Sequence, residues 1–446
     1  NKRLLLVPIL DSTDKILALI IQKSYNLTIF QVKDIKEAYN IARSTVMLDS
    51  NIELGKEKVP SFANASLKHI YSPYFLKVVE KMLSEAEDVA VEVGAKQIRA
   101  KDNIISRLEI AKVANATGNY YTAANTVFLL MMDSNLLDYS DSNFIAHIEK
   151  VRSCIEEFKL NDVSNSSLSN FELAGAANLR YLWAKKKFPT DINAGTLSGK
   201  LNIYKDVLLS EGWCQAAIDM SSYEHTNGII NMTKANELAN RLLQIASSHA
   251  AVTSEDGNAD AKWHLEVAKE AYSNEMYVEA IIDANFALAY EKIYDLGNKS
   301  LNEAGKEIIQ ILEENRVKNY TFLWPQLYQN HARTFEESDS VSAARLYLFA
   351  DGLEQSFSEI FNASVTYKQN QTPEIGINQK EFVNISNTQN QTNLTDTQTK
   401  IARTSSEQKL SEGWNFRYLL YILIIIAIGY IVQYERKKLQ DKKKMQ

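Results

Sequence analysis

Between residues 68 and about 360 the apolar residues recur every three or four positions, and that period is the strongest constraint on what the chain can fold into. Phe75, Val78, Val79, Met82, Ala86 and Val89 share one helical face behind Ser72-Pro73, a cap with proline in the first turn. Phe144, Ile148, Val151, Ile155 and Phe158 repeat at four, three, four, three, a seam that needs a partner helix. Ala235, Leu238, Leu242, Ile245 and Ala246 form another stripe, as do Leu301, Ala304, Ile308 and Ile311. Gly 15 and Pro 6 are few for 446 residues, which favours long helices over turn-rich β structure. Polar breaks at 161–165, 189–195 and 253–258 separate roughly ten expected helices in antiparallel pairs. Ala111, Ala114, Tyr120 and Ala123 recur with the spacing of Ala268, Ala271, Tyr277 and Ala280, as in tetratricopeptide-like hairpins, with a poorer third copy near Ser340 and Ala343. The unequal separations between copies favour ordinary helical hairpins, with a peptide-binding superhelix as the sharper alternative.

The carboxyl end sets the topology. From Tyr418 to Tyr434 no residue is charged and Ile and Leu dominate. That length is at the short end of the roughly 17–25 residues a membrane span needs. Trp414, Phe416 and Tyr418 flank one edge and Tyr430 and Tyr434 the other, where amphipathic rings favour the headgroup layer. The tail 435–446 has six basic residues against two acidic ones, so it is expected in the cytosol, with everything before the span outside. The expected location is therefore the cell membrane, single-pass, with the bulk extracellular. The formal charge is −6, and removing the tail's +4 leaves −10 outside, which argues against nucleic acid as a partner. Residues 363–413 are rich in Asn, Gln, Thr and Ser and are expected to be a disordered stalk. As a flexible coil it would span roughly 40 Å.

Asn-x-Ser/Thr occurs at Asn26, Asn64, Asn115, Asn165, Asn231, Asn298, Asn319, Asn362, Asn370, Asn384, Asn390 and Asn393. With 37 Asn in the chain, chance would supply about five such acceptors. The excess on an outer region points to glycosylation. Cys154 and Cys214 would be permitted a disulfide there, although Cys154 lies beside an apolar stripe and suits a buried free thiol equally. The histidines His69, His147, His225, His249, His264 and His331 are scattered, with neither His-Glu-x-x-His nor Cys-x-x-Cys, so no metal site is expected. His147 reads as a structural residue. Trp183, Trp213, Trp263 and Trp324 read as packing. There is no phosphate-cradling glycine loop and no Walker lysine, so no cofactor and no use of ATP are expected.

Residues 1–45 have a different texture. Leu4–Pro8 is a short apolar run closed by proline, Leu27–Val32 is β-branched and aromatic, and 34–42 is a helix with a capping Asp. Residues 16–21 suit a helix or a strand. The whole is an α/β fragment too small to bury its own core. The proline-ended Lys2–Pro8 strand, the Leu27–Val32 strand and the helix Val32-Lys-Asp-Ile-Lys-Glu-Ala-Tyr-Asn-Ile-Ala42 together resemble the closing segment of the Lon-type (S16) serine protease domain. They resemble in particular the archaeal membrane-anchored Lon-like proteases. The likeness covers about a tenth of the chain, and residues 9–26 lack the acidic, proline-containing loop usual in Lon. It implies an ATP-independent Ser-Lys peptidase whose nucleophile and general base lie upstream of the proline-ended strand. No residue of this chain inherits those catalytic roles.

The expected architecture is mainly α: a helical-hairpin (TPR-like) ectodomain with a small N-terminal α/β fragment and one C-terminal transmembrane helix. Its expected divisions are the fragment at 1–45, a polar linker at 46–67, the all-α ectodomain at 68–362, the glycosylated stalk at 363–413, the span at 414–434 and the basic tail at 435–446. The helical region would position protein or peptide substrates or assemble the protease, with homo-oligomerisation left open. The competing expectation is a non-enzymatic cell-surface helical scaffold that binds peptides or proteins.

Overall fold

The structure, a computed structural model, describes residues 3–43, 49–65, 72–167, 170–222, 228, 230–250, 259–294, 301–315 and 321–371. Strand β1 (Arg3–Pro8) is followed by helix α1 (Ser12–Tyr25), strand β2 (Leu27–Val32) and helix α2 (Ile35–Arg43). Helix α1 resolves the ambiguity at 16–21. The Asp11 carboxylate accepts the Asp14 N–H at 2.8 Å, and the helix ends at Asn26 in the left-handed region, φ 49°. Helix α2 begins with a reciprocal cap, Asp34 accepting the Glu37 N–H at 2.8 Å and Glu37 the Lys33 N–H at 2.7 Å.

The two strands pair in parallel, Arg3 opposite Leu27 through Pro8 opposite Val32. Helix α1 is the crossover that a parallel pair requires. One side is covered, because Ile16, Leu19, Ile20 and Ile29 join the main core. Strand β1 is nonetheless left partly bare, with Leu4 45% exposed, Leu5 40% and Ile9, just beyond it, 65%. Ile35, in the first turn of α2, is likewise exposed, at 88%.

The helical body comprises α3 (Ser72–Lys96), α4 (Lys101–Ala116), α5 (Tyr120–Leu137), α6 (Asp141–Glu157), α7 (Phe171–Lys187), α8 (Leu197–Ser221), α9 (Met232–Ala250), α10 (Ala259–Ser273), α11 (Tyr277–Tyr294), α12 (Leu301–Asn315), α13 (Leu323–Arg333) and α14 (Ser340–Gln371). The chain is thus mainly helical with a small N-terminal strand pair, and among the described residues the body has twelve helices where roughly ten are expected. The Phe144, Ile148 and Val151 seam of α6 is buried and packs against α8. Helix α14 also corrects a boundary. It continues to Gln371, past the expected end of the body at 362, and Ser364 is buried with its hydroxyl accepting the Asn231 N–H at 2.8 Å.

The two Ala-Tyr-Ala repeats are the two tight hairpins, α4–α5 and α10–α11. Ala111, Ala114 and Ala123 in the first, and Ala268, Ala271 and Ala280 in the second, are fully buried where the helices meet. The turns match bond for bond. Asn119 N–H donates to Ala114 O at 2.8 Å, and Met276 N–H donates to Ala271 O at 3.0 Å. The residue before each takes positive φ, 80° at Gly118 and 61° at Glu275. The third, poorer copy joins α13 to α14 through a longer turn, with Ser340 and Ala343 both buried.

Residues 49–65 are no loose connector. They form an extended strap along α4, with Ile52 and Leu54 buried. Its rungs are Leu54 N–H to Arg99 O (3.1 Å), Asn103 Nδ2 to Gly55 O (3.0 Å), Glu57 N–H to Ser106 Oγ (2.9 Å), Asn119 Nδ2 to Ala63 O (2.9 Å) and Ala65 N–H to Thr117 O (2.8 Å). Polar composition suggested a solvated linker, whereas these polar groups satisfy one another across the contact. At the far end a Cβ on Gly118 would lie 1.9 Å from Ala65 O, so glycine there serves both the turn and the strap.

Cys154 and Cys214 form a disulfide joining α6 to α8, with Cα atoms 6.4 Å apart, in place of the buried thiol that an apolar stripe equally suggested. Among the described residues no helix is long and apolar enough to cross a membrane. The expected stalk beyond Gln371, the span at 414–434 and the tail lie outside those residues.

Candidate functional site

Helix α7 lies at the centre, and from Phe171 to Ala184 only Tyr181 escapes burial. Close approach helps enclose it: a Cβ on Gly175 would meet Val278 Cγ1 of α11 at 2.8 Å. A helix covered on all sides is ordinarily apolar throughout. This one carries Glu172, Asn178 and Arg180 inward, and each has a defined partner.

Glu172 caps α13 from a distance in sequence. Its two carboxylate oxygens accept the Leu323 and Trp324 N–H groups at 3.2 and 3.1 Å, while Trp324 Nε1 donates to the Glu172 backbone oxygen at 3.0 Å. Just before these residues, Glu354 of α14 accepts the Thr321 and Phe322 N–H groups at 3.0 and 3.2 Å. Two carboxylates thus take four successive backbone donors at one helix start, where the macrodipole favours negative charge. Burial pushes the Glu354 carboxyl up to about 7, against the lowering effect of those two hydrogen bonds.

Nearly two turns further along α7, Asn178 accepts the Asn161 N–H at 2.8 Å and donates to Glu279 of α11 at 2.7 Å. Burial also pushes Glu279 up to about 7. Arg180 lays its guanidinium over the rings of Trp183 at 4.5 Å and Trp324 at 5.2 Å and donates to Tyr328 Oη at 3.2 Å. Asp283, fully buried on α11, accepts Trp183 Nε1 at 3.2 Å and pairs with His264 Nδ1 at 2.7 Å. Burial raises the Asp283 carboxyl, while His264, Trp183 and Arg180 oppose that rise.

The His264–Asp283 pair has the form of a general base with its orienting carboxylate, but not the surroundings for that work. The imidazole is stacked on Phe286 at 4.8 Å and on Tyr290 at 5.6 Å, with the edges of Trp183 and Trp263 closing the sides. Among the described residues no serine, threonine or cysteine side chain hydrogen-bonds to it, so none of these is placed as its nucleophile. The second hydroxyl–imidazole pair, Thr122 Oγ1 with His331 Nδ1 at 2.9 Å, is buried. Burial lowers His331 to about 3, which keeps it neutral and unable to take up a proton near neutrality. Both clusters are polar ties inside a helical core.

His147, read as structural, pairs its Nδ1 with Glu211 of α8, and Lys150 reaches the other oxygen of that carboxylate at 3.4 Å. Glu211 and Lys150 rim an open groove of about 890 Å³ over the disulfide, lined also by Glu157, Phe158, Gln215 and Ile218. Trp183, Trp213 and Trp263 form one aromatic cluster, with ring centroids 5.5–6.0 Å apart, and Trp324 lies in a second with Phe75, Tyr121 and Tyr328. His69 and His225 lie outside the described residues. Among the described residues, no group of three or more His, Cys, Asp or Glu is placed to hold a metal ion.

The glycosylation acceptors separate by position. Asn26, Asn64, Asn165 and Asn362 are exposed, Asn115 and Asn231 are half-buried, and Asn370 falls in the last turn of α14. Asn298, Asn319, Asn384, Asn390 and Asn393 lie outside the described residues. Sequence reasoning missed Glu172, Arg180, Asp283 and Glu354. A single charged residue on an amphipathic helix reads as part of its solvated face, and nothing in the local pattern marks these as turned inward.

No protein-family model matches the chain, and no match to it was found among curated proteins or solved structures.

Proposed function

We propose that this chain is the non-catalytic, membrane-anchored helical part of a Lon-like, ATP-independent Ser-Lys peptidase. In this reading the helical body holds the edge of the protease domain and positions protein substrates or protease subunits outside the cell. The observation that carries it is the parallel β1–α1–β2 unit followed by α2, held to the main core through α1 and Ile29 while Leu4, Leu5 and Ile9 are left bare. Parallel sheets are stable almost only with both faces covered, so a parallel pair with bare apolar residues is the margin of a larger α/β layer. A Lon-type domain would supply that layer, and with it the catalytic serine and lysine.

The disulfide between α6 and α8 supports an extracytoplasmic location, since such bonds persist mainly in oxidising compartments. The test is hydrolysis of a fluorogenic peptide by the native protein, captured from detergent-solubilised membranes with an antibody to residues 72–360. The reading expects cleavage without ATP that a peptide boronate blocks. Native material with no hydrolysis, or hydrolysis indifferent to the boronate, refutes it.

A second reading is a non-enzymatic, TPR-like surface scaffold. It is favoured by the matched turns at Gly118 and Glu275, which make α4–α5 and α10–α11 two copies of one hairpin.

A further inference from the structure

We propose that the folded body carries N-linked glycans on Asn26, Asn64 and Asn362, and none on Asn115 or Asn231. The inference does not depend on the peptidase reading. Two independent observations support it.

The first is where the asparagines lie. Asn103, Asn119, Asn170, Asn178, Asn285 and Asn330 are buried, and none of them is followed two residues on by Ser or Thr. Of the acceptor asparagines, Asn26, Asn64, Asn165 and Asn362 are exposed and Asn115 and Asn231 only half-buried. Asparagine as a residue type enters this core freely, while asparagine in an acceptor triplet stays out of it. A bulky, hydrated glycan imposes that distinction. The second observation is the Cys154–Cys214 disulfide, which places the body on the oxidising side of a membrane, where the transfer machinery acts.

The side chains then sort the sites. Asn26 closes α1 in an exposed left-handed turn, Asn64 is exposed on the strap, and Asn362 is exposed on α14. None of the three side chains hydrogen-bonds another described residue. Asn231 caps α9, its Oδ1 accepting the Lys234 N–H at 3.0 Å while its Nδ2 points to Ala363 O at 3.5 Å. Asn115 has its Oδ1 buried among protein atoms. A sugar on either would have to be accommodated where the amide is already enclosed, and would bar closure of the fold. Asn165 is exposed, but its amide donates to Asp162 at 2.5 Å, and it is assigned to neither group.

The chemistry is transfer from a lipid-phosphate-linked oligosaccharide. The asparagine Nδ2 bonds to the anomeric carbon, the sugar–oxygen bond breaks with its electron pair leaving on the lipid phosphate, and one amide proton is lost to the transferase. Thr28 and Ser364, the hydroxyls two residues beyond Asn26 and Asn362, are buried in the finished fold. Transfer therefore precedes closure of the body, while the nitrogen that bears the sugar ends outside.

The experiment is site-resolved glycopeptide mass spectrometry on the full chain purified from native membranes. The expected result is a glycan mass on Asn26, Asn64 and Asn362 and bare Asn115 and Asn231. Any one of the first three found bare, or sugar on either of the last two, overturns the assignment. As a second readout, Asn26→Gln, Asn64→Gln and Asn362→Gln should each lower the apparent mass of the native chain by one glycan. An unchanged mass in any of them counts against that site.

Discussion

Replacing Glu172 by alanine tests whether α13 is held by a carboxylate reaching across from α7. The substitution removes both acceptors of the Leu323 and Trp324 N–H groups. The site is closed, since Leu323 and Trp324 are buried and the carboxylate's own residue is fully buried. An orphaned buried donor costs about 1–3 kcal/mol, so two cost about 2–6 kcal/mol. Loss of a negative charge at a helix start adds up to about 1 kcal/mol. Against this, the variant no longer carries the desolvation penalty of a buried carboxylate, which is several kcal/mol before its partners offset it. The expected net loss is about 3 kcal/mol, a large share of the ~5–15 kcal/mol typical of a folded domain. Glu172→Gln keeps one carbonyl oxygen for one of the donors and should lose about half as much. Urea unfolding followed by tryptophan fluorescence reads the total. Hydrogen exchange at the Leu323 and Trp324 amides reads the cause, because a merely packing role would leave those two amides protected. A loss under about 0.5 kcal/mol with both amides unchanged would refute the capping argument.

Three further outcomes follow from particular geometries. Glu275→Gly should stabilise the chain by up to about 1 kcal/mol by relieving a left-handed residue, whereas Gly118→Ala should destabilise it by more than that, because its Cβ would meet Ala65 O at 1.9 Å; thermal melts of the two variants check the pair. Burial raises Glu279 from 4.5 to about 7, so the unfolded chain ionises first. The stability this carboxyl contributes is complete below about pH 4.5 and is lost as pH rises to about 7, by about 3 kcal/mol, so urea titrations across that window should show a smaller decline for Glu279→Gln. Opening the disulfide, which closes a loop of 60 residues in sequence separation, should cost about 4 kcal/mol on the chain-entropy argument, read as a lower melting temperature of the Cys154→Ser/Cys214→Ser double variant.

Period and punctuation made much of the fold legible. β1, β2, α2 and the Ser72 start of α3 stand where a short apolar run, β-branched residues, proline and capping residues put them. The Ala-Tyr-Ala spacing located both hairpins, because small residues are needed wherever two helices come into contact. What escaped was whatever depends on partners far along the chain. Residues 49–65 are polar, and only the rungs to Arg99, Asn103 and Thr117 turn them into a strap. Helix α1 was ambiguous because a short apolar run suits either element, and the Asp11 cap decides it. The four tryptophans were legible as packing. The charges beneath them were not, since Arg180 and Asp283 are about a hundred residues apart and meet only when α7 and α11 do. The acceptor triplets could be counted, but which of them face outward needed the fold.

The central claim is that β1, α1, β2 and α2 are the margin of a larger α/β domain. Hydrogen exchange over residues 3–43 tests it most directly, measured on the polypeptide 1–371 alone and on the native protein from membranes. The account predicts rapid exchange in the isolated polypeptide, where Leu4, Leu5 and Ile9 are bare, and strong protection in the native protein. Equal protection in both would mean that the strand pair is complete as it stands, and the peptidase reading would lose its support.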